Sequence, residues 1–321
     1  MTTTAAASQM DSRESNTEDD YGYLSHRNIQ RLRIGNYEFD TWYGNSALKL
    51  NQNLLDLLHI CPFCFKYTPL EQSIRQHLGQ CVIRTTLPGQ SVYQSDEMTI
   101  RRIKGYQFPL FTQCMALLAK FFLDNKSVFY NINSYDFYVA YGKDEGVIKP
   151  MGFYSRHLPS WESDNLSCIC VLPCYQKRGL GTLLIDFSYK LSNFENQISG
   201  PERPLSPFGK LAYLKYWCSH LVWQFTFGEL RTMEWLNLEI ISLKTRFRSI
   251  DIVLALDCMQ VLYENGQKVK LVDYYNDNIK GIVAVDEWDL FIDRDKIRNL
   301  CVKLGITKDH QIVNVDNCCF Y

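Results

Sequence analysis

Four residues in the first third of the chain carry the types and spacing of a metal site: Cys61-x2-Cys64-x12-His77-x3-Cys81. Tetrahedral zinc takes four nitrogen or sulfur ligands, and a two-residue gap lets both thiolates of a tight turn face one point. The three-residue gap sets His77 and Cys81 one helical turn apart, which predicts a helix after the turn. The alternative is four unrelated residues in a chain with 12 cysteines. Agreement at all four positions favours zinc. The segment PLEQSIRQHLGQC supplies only Arg75 as a cation. A finger that reads DNA needs base-reaching and phosphate-contacting side chains on its helix, so a structural finger is expected here.

The second constellation is LSCICVLPCYQKRGLG, Leu166 to Gly181. An apolar strand ends at Pro173, a Gln-Lys-Arg-Gly-Leu-Gly turn follows, and a helix begins. Amides at a helix N-terminus point outward and the helix dipole favours negative charge, so this is an anion site. Gly179 and Gly181 let a pyrophosphate approach the backbone closely, and Lys177 and Arg178 add positive charge. Two glycines in such a connection are a weak signal alone. The preceding strand, the Gln and cations, and the following helix strengthen it. Neither GxxxxGK[ST] nor GxGxxG is present. The Q-x-x-G-x-G pattern resembles the phosphate loop of acetyl-CoA-dependent N-acetyltransferases of the GNAT type.

Those two turns need a frame. Met1 to about Asn28 is Ser/Thr-rich and acidic, and is expected to be disordered. The apolar and aromatic pattern of Ile29 to Asn45 predicts a strand and hairpin. A strand is expected at Ser91 to Tyr93. Cys114, Leu117, Leu118, Phe121 and Phe122 predict a helix ending near Asn125. Strand-like segments follow at Val128 to Ile132, Phe137 to Tyr141, Met151 to Ser155 and Leu166 to Leu172. Leu180, Leu183, Leu184, Phe187, Leu191 and Phe194 stripe one helix. Another helix is expected over Phe208 to Trp217, and Ser249 is a candidate N-cap before Ile252, Leu256 and Met259. Strands grouped ahead of a helical end predict an α+β fold. Expected divisions are a tail (1–28), a finger region (29–90), a cofactor-binding core (91–217) and a helical C-terminal region (218–321).

Composition narrows the function classes. Of 321 residues, 46% are apolar and 21% charged, as in a globular protein. The formal net charge is −1, without the basic excess of a protein that binds DNA through phosphates. The N-terminus MTTTAAASQMDSRESNTEDD lacks the apolar stretch of a secretion signal, and no run approaches a transmembrane helix. A reducing compartment is therefore expected, with cysteines as thiols or metal ligands. Arg101-Arg102-Ile103-Lys104 is too short to serve as a nuclear signal.

Longer motifs carry a family resemblance. DNLSCICVLPCYQKRGLGTLLIDFSYKLSNFE followed by GPERPLSPFGKLAYLKYW resembles the catalytic core of MYST histone acetyltransferases. LLAKFFLDNKSVFYNINSYDFYVAY, MGFYSRH, the finger, IGNYEFDTWYG and ISLKTRFRSIDIVLAL also fit. The resemblance runs from about Ile29 to Glu264. It implies a GNAT-like acetyl-CoA-binding core, flanked by the C2HC finger region and a mostly helical C-terminal region. It implies transfer of acetyl from acetyl-CoA to a lysine side chain of histone tails or nucleosomes, in the nucleus, with subunits of a chromatin-modifying complex as partners. Membrane association and sequence-specific DNA binding are not expected.

Residue by residue, Glu202 takes the place of the family's general base and Cys168 that of its active-site cysteine. Lys126 matches the lysine that the family autoacetylates. Ile169, Cys170, Val171, Gln176, Lys177, Arg178, Gly179, Leu180, Gly181, Thr182 and Ser206 match acetyl-CoA-binding positions. There are departures. Ser-Pro-Phe-Gly at Ser206 replaces the usual Ser-Asp-Leu-Gly, Tyr-Gly-Asn-Ser near Tyr43 replaces Trp-Tyr-Phe-Ser-Pro, and Lys215 sits where a small residue is commoner. The match fades beyond about Val269, and no reader domain is expected in the short N-terminus.

The chemistry suits those residues. A lysine with a pKa near 10.4 is almost fully protonated at neutral pH, so attack on a thioester needs a base. Glu202 can supply it; the alternative is an exposed loop glutamate between two prolines. Cys168 could accept the acetyl group in a ping-pong route, or be a small buried hydrophobe in a strand. Cys168 and Cys170 share a strand face, so composition does not choose between them; direct transfer with Cys168 lining the site is the preferred reading. Lys126 could instead be a cation complementing a helix C-terminus. A catalytically weakened scaffold is the alternative function, although a pure scaffold needs neither Glu202 nor the phosphate loop. A nucleic-acid-binding finger protein is disfavoured by the near-neutral charge.

Overall fold

The computed structural model describes residues 27–45, 48, 54–123, 131–264, 267–268, 290–309 and 312–320. The tail before residue 27 and Lys126 lie outside the described residues, as does all but the end of the Val128 to Ile132 segment. The N-terminal sheet holds β1 (Ile29–Ile34), β2 (Tyr37–Asp40), β3 (Leu55–Ile60) and β4 (Tyr67–Thr68), in the order β2-β1-β3-β4. The expected hairpin is β1 with β2, antiparallel, with Leu32 opposite Phe39. Helix α1 (Glu71–Gln80) follows.

The central sheet is an antiparallel array in the order β10-β8-β7-β6-β5. Its strands are β5 (Gln90–Gln94), β6 (Met98–Lys104), β7 (Tyr135–Asp144), β8 (Val147–His157) and β10 (Cys168–Val171). Alternation along β7 shows why it is central. Phe137, Val139 and Tyr141 enter one core, while Tyr138 and Ala140 enter the other. A period of two with both faces apolar is the pattern of a strand covered on both sides. The core on the first face is closed by α2 (Pro109–Ala119) and the N-terminal sheet. The core on the second face is closed by α3 (Leu180–Phe194), α4 (Pro207–Thr226), α5 (Leu238–Thr245), α6 (Ser249–Met259) and α7 (Arg294–Leu304). This is the mixed α+β arrangement expected from the element order.

Details differ from the sequence reading for local reasons. Arg101 to Lys104 is the end of β6, with Ile100 and Ile103 fully buried and Arg102 Nε donating to the buried Asp136 at 2.6 Å. Helix α2 stops at Ala119; Phe121 and Phe122 lie in the turn beyond it and are still buried, so tertiary packing mimics a continued stripe. The apolar run Leu166 to Leu172 breaks after a short β9 (Asp164–Leu166), because β9 pairs with β11 (Gly200–Pro201) and β10 with β8. Ser249 is the first residue inside α6, after an extended Arg248, and provides no side-chain cap. Phe194, the last residue of the α3 stripe, is largely exposed, with its ring 5.1 Å from that of Phe320.

Candidate active site and zinc centre

The finger donors converge. Cys61 and Cys64 lie between β3 and β4, His77 on the last turn of α1, and Cys81 just past its end. Their four donor atoms all lie within 4.8 Å of one another. Cys61 Sγ and Cys81 Sγ are 3.8 Å apart, and Cys64 Sγ is 3.1 Å from His77 Nε2. Two Zn–S bonds of about 2.3 Å at a tetrahedral angle put their sulfurs about 3.8 Å apart. The donor set and spacing therefore fit zinc, and these four residues would hold it. The hydrogen bond with Cys61 pulls the Cys64 thiol down, toward the thiolate that a metal ligand must be.

The predicted phosphate turn is built from β10 outward. Antiparallel pairing sets Cys168 opposite Ser155 and Cys170 opposite Phe153. Both cysteines face the α2 core, while Ile169 packs against the α3 core. Burial pushes the Cys170 thiol up to about 12, away from the thiolate form. Past the strand, Tyr175 Oη donates to Asp144 Oδ2 at 2.8 Å, where Lys149 also donates, pinning the turn to the β7–β8 hairpin. Gln176 Nε2 donates back to Val171 O at 3.0 Å. Arg178 donates to Cys174 O at 3.2 Å and its guanidinium lies 5.4 Å from the Tyr175 ring centroid.

Gly179 then precedes α3 with φ +82°, in the left-handed region that favours glycine. No side chain caps the helix, so the amides of Leu180, Gly181 and Thr182 stay available to a ligand. A Cβ at Gly179 would meet nothing within 4 Å, and one at Gly181 only Val171 Cγ2 at 4.0 Å. Lys177, Arg178 and Gly179 are exposed. This donor set, open on one side and backed by two cations, fits the diphosphate of acetyl-CoA.

Glu202 reaches the same neighbourhood through β11. Gly200 pairs with Asp164 and Pro201 with Leu166, and the Glu202 amide donates to Leu166 O at 2.8 Å. Leu166 is two residues before Cys168, so the segments carrying Glu202 and Cys168 run side by side. Glu202 is half-buried. Tyr135, first residue of β7, is pushed up to about 12 by burial, and then by the charges of Glu202 and Cys168. Ser206 caps α4, its hydroxyl accepting from the Gly209 amide at 3.1 Å. Pro207 is tolerated there because the first helical turn needs no amide donor at that position.

Comparison with known proteins decides the affiliation. A profile of the MOZ/SAS family matches residues 86–293, and the MYST family zinc finger domain matches residues 26–81. The chain belongs to the MOZ/SAS family and carries the MYST family zinc finger. It is 42% identical over 268 residues, 77% of its length and 79% of the relative's, to the histone acetyltransferase SAS2 of Saccharomyces cerevisiae. It is 34% identical over 246 residues to the histone acetyltransferase MOF of Drosophila melanogaster, covering 29% of that protein. It is 31% identical over 266 residues to the histone acetyltransferase Tip60 homolog of Caenorhabditis elegans, covering 56% of that protein.

Sequence reasoning did not single out several ionisable residues near this candidate site. Lys120 is buried just beyond α2, where desolvation pulls its ammonium down to about 8 against the nearby Cys168. Tyr135 and the Arg203–Asp251 pair were likewise not singled out. The available signal was a lone charge in an apolar run, Lys120 in LLAKFFL and Asp251 in SIDIVLAL.

Proposed function

We infer that the protein is an acetyl-CoA-dependent histone lysine acetyltransferase in which Glu202 is the general base. The observation that carries this reading is the pairing of β11 with β9, the strand just before β10. It sets the Glu202 segment beside Cys168, on the strand that leads into the Gln176–Thr182 turn. In this reading the turn amides and Ser206 hold acetyl-CoA, with Ile169, Cys170 and Val171 along its acetyl arm. Glu202 removes a proton from the substrate ammonium. The freed nitrogen pair forms the C–N bond, the thioester C–S bond breaks, and coenzyme A leaves as a thiolate that takes up a proton.

Transfer is direct, with Cys168 lining the site. Enzyme mixed with labelled acetyl-CoA and no acceptor should carry no stoichiometric thioester on Cys168; finding one replaces direct transfer by a ping-pong route. Lys126 is proposed as an autoacetylated lysine, checked by peptide mapping of active enzyme. Histone tails or nucleosomes are the proposed substrates, subunits of a chromatin-modifying complex the partners, and the nucleus the location. Among the described residues no helix is long and apolar enough to cross a membrane. The proposed divisions are the tail (1–28), finger region (29–90), catalytic core (91–217) and helical C-terminal region (218–321).

The deciding experiment compares wild type with Glu202→Gln on histone peptides. A loss of at least about 100-fold in kcat, with acetyl-CoA binding retained, is expected for removal of a general base. Equal rates overturn the assignment.

A further inference from the structure

The segment that carries Glu202 is fastened on both sides to residues 246–251. The Ser199 amide donates to Arg246 O at 2.9 Å, and Ser199 pairs in parallel with Phe247. Gly200 lies against Asp251 and Arg248 so closely that a Cβ there would stand 2.4 Å from Asp251 Oδ2 and 3.1 Å from Arg248 Cδ. Arg248 donates to Pro201 O at 3.1 Å, Asp164 Oδ1 at 2.7 Å and Glu162 O at 2.6 Å, clamping β11 onto β9. Beyond Glu202, Arg203 donates to Asp251 Oδ1 at 2.5 Å. The Glu202 amide itself is bonded to Leu166 O.

Asp251 is an unusual residue at this place. Its side chain is fully buried on α6, among the apolar residues of the second core. Its Oδ2 has no hydrogen-bond partner among the described atoms. A buried carboxylate with one oxygen unsatisfied costs stability, and an apolar side chain of similar size would cost less. Arg203, which donates to its other oxygen, adjoins Glu202.

We propose that Asp251, acting through Arg203 and backed by Arg248, is a positioning residue that fixes the Glu202 carboxylate for acetyl transfer. This rests on the reading of Glu202 as the base. The backbone on one side of Glu202 is set by Gly200 and Pro201 against Arg248, and on the other by the Arg203–Asp251 pair. With both flanks held, the Glu202 side chain has a fixed origin between β9 and the start of α4.

The test uses the full-length, zinc-loaded protein and four variants: Asp251→Asn, Arg203→Gln, Arg203→Lys and Glu202→Gln. Asp251→Asn and Arg203→Gln should each lower kcat on a histone peptide by about 10-fold or more, the scale of a misplaced catalytic group. Acetyl-CoA affinity by calorimetry should stay at the wild-type value. The acid limb of the kcat–pH profile should move in both variants. Arg203→Lys should recover most of what Arg203→Gln loses. Folded Asp251→Asn and Arg203→Gln proteins with wild-type kcat and an unmoved acid limb overturn the proposal. If Asp251→Asn does not fold, the Arg203 variants decide alone, because that side chain is more than one-third exposed. Wild-type activity in Glu202→Gln removes the base assignment and the proposal with it. An inactive Glu202→Gln alongside fully active Asp251→Asn and Arg203→Gln removes only the anchor.

Discussion

Gln176 Nε2 donates to the carbonyl of Val171 at 3.0 Å, folding the predicted phosphate turn back onto the end of the strand that carries Cys168. The turn is also held by the Tyr175–Asp144 bond and by Arg178 donating to Cys174 O. Gln176→Ala should therefore loosen the turn without unfolding the sheet. One neutral hydrogen bond contributes about 1 kcal/mol, so the KM for acetyl-CoA should rise by about five- to tenfold while the melting temperature changes little. Steady-state kinetics against acetyl-CoA with a parallel melt checks both.

Gly179 and Gly181 should respond differently to the same substitution. Gly179 has φ +82°, so Gly179→Ala is strained by about 1 kcal/mol even though space is open around it. Gly181 sits inside α3 with only Val171 Cγ2 at 4.0 Å from a new methyl group. Gly181→Ala should leave the apo protein as stable as wild type or slightly more so. Its methyl would stand where a diphosphate approaches, so acetyl-CoA affinity should fall. Calorimetric titration on both variants, with melts, separates the strain effect from the binding effect.

The finger should depend on its metal. Among the described residues its own buried core is only Cys61, Phe63, Ile74 and Cys81. A core that small cannot repay the ordering of the segment, whereas structural zinc supplies on the order of 10 kcal/mol in finger peptides at neutral pH. Strong chelation should release about one zinc per chain and raise amide exchange across residues 61–81. Exchange unchanged after zinc loss would show that the finger holds without metal.

The buried Asp251 makes stability depend on pH in a defined direction. Burial pushes its carboxyl up to about 6, against the pull of Arg203 and Arg248. Tyr189 on α3 and Tyr213 on α4 are the other titratable groups facing it, and burial holds both phenols well above their usual range. The folded state therefore binds this proton more tightly than the unfolded chain, whose carboxyl titrates near 4. The stabilisation is complete below about pH 4 and is lost as pH rises through about 6, up to about 3 kcal/mol for two pH units. Relative to wild type, Asp251→Asn should gain stability between pH 4 and 6 and plateau above. Melts across that range check it; a constant difference between the two proteins contradicts it.

Much of the frame was legible because it obeys local rules. The spacing of Cys61, Cys64, His77 and Cys81 is set by one turn and one helix, so short-range geometry brings the donors together. The phosphate turn is likewise a strand, eight residues and a helix start in direct succession. Helix α3 carries its stripe at 3.6-residue spacing. Where the reading drifted, long-range packing decided. Phe121 and Phe122 are buried without being helical, and the Leu166 to Leu172 run splits because its two halves find different partner strands.

What the sequence alone determined is the set of chemical groups and their local geometry: a four-ligand finger, an amide-lined turn opening α3, and a glutamate in a proline-flanked loop. Tertiary structure decided which of those groups meet. The segments carrying Glu202 and Cys168 are far apart in sequence and come side by side only through the β9–β11 pairing, while Arg203 and Asp251 meet only when α6 packs behind that loop. Local spacing encodes angles along one element. Contacts between elements depend on how whole faces are buried, a property of the assembled core that no short window of residues contains.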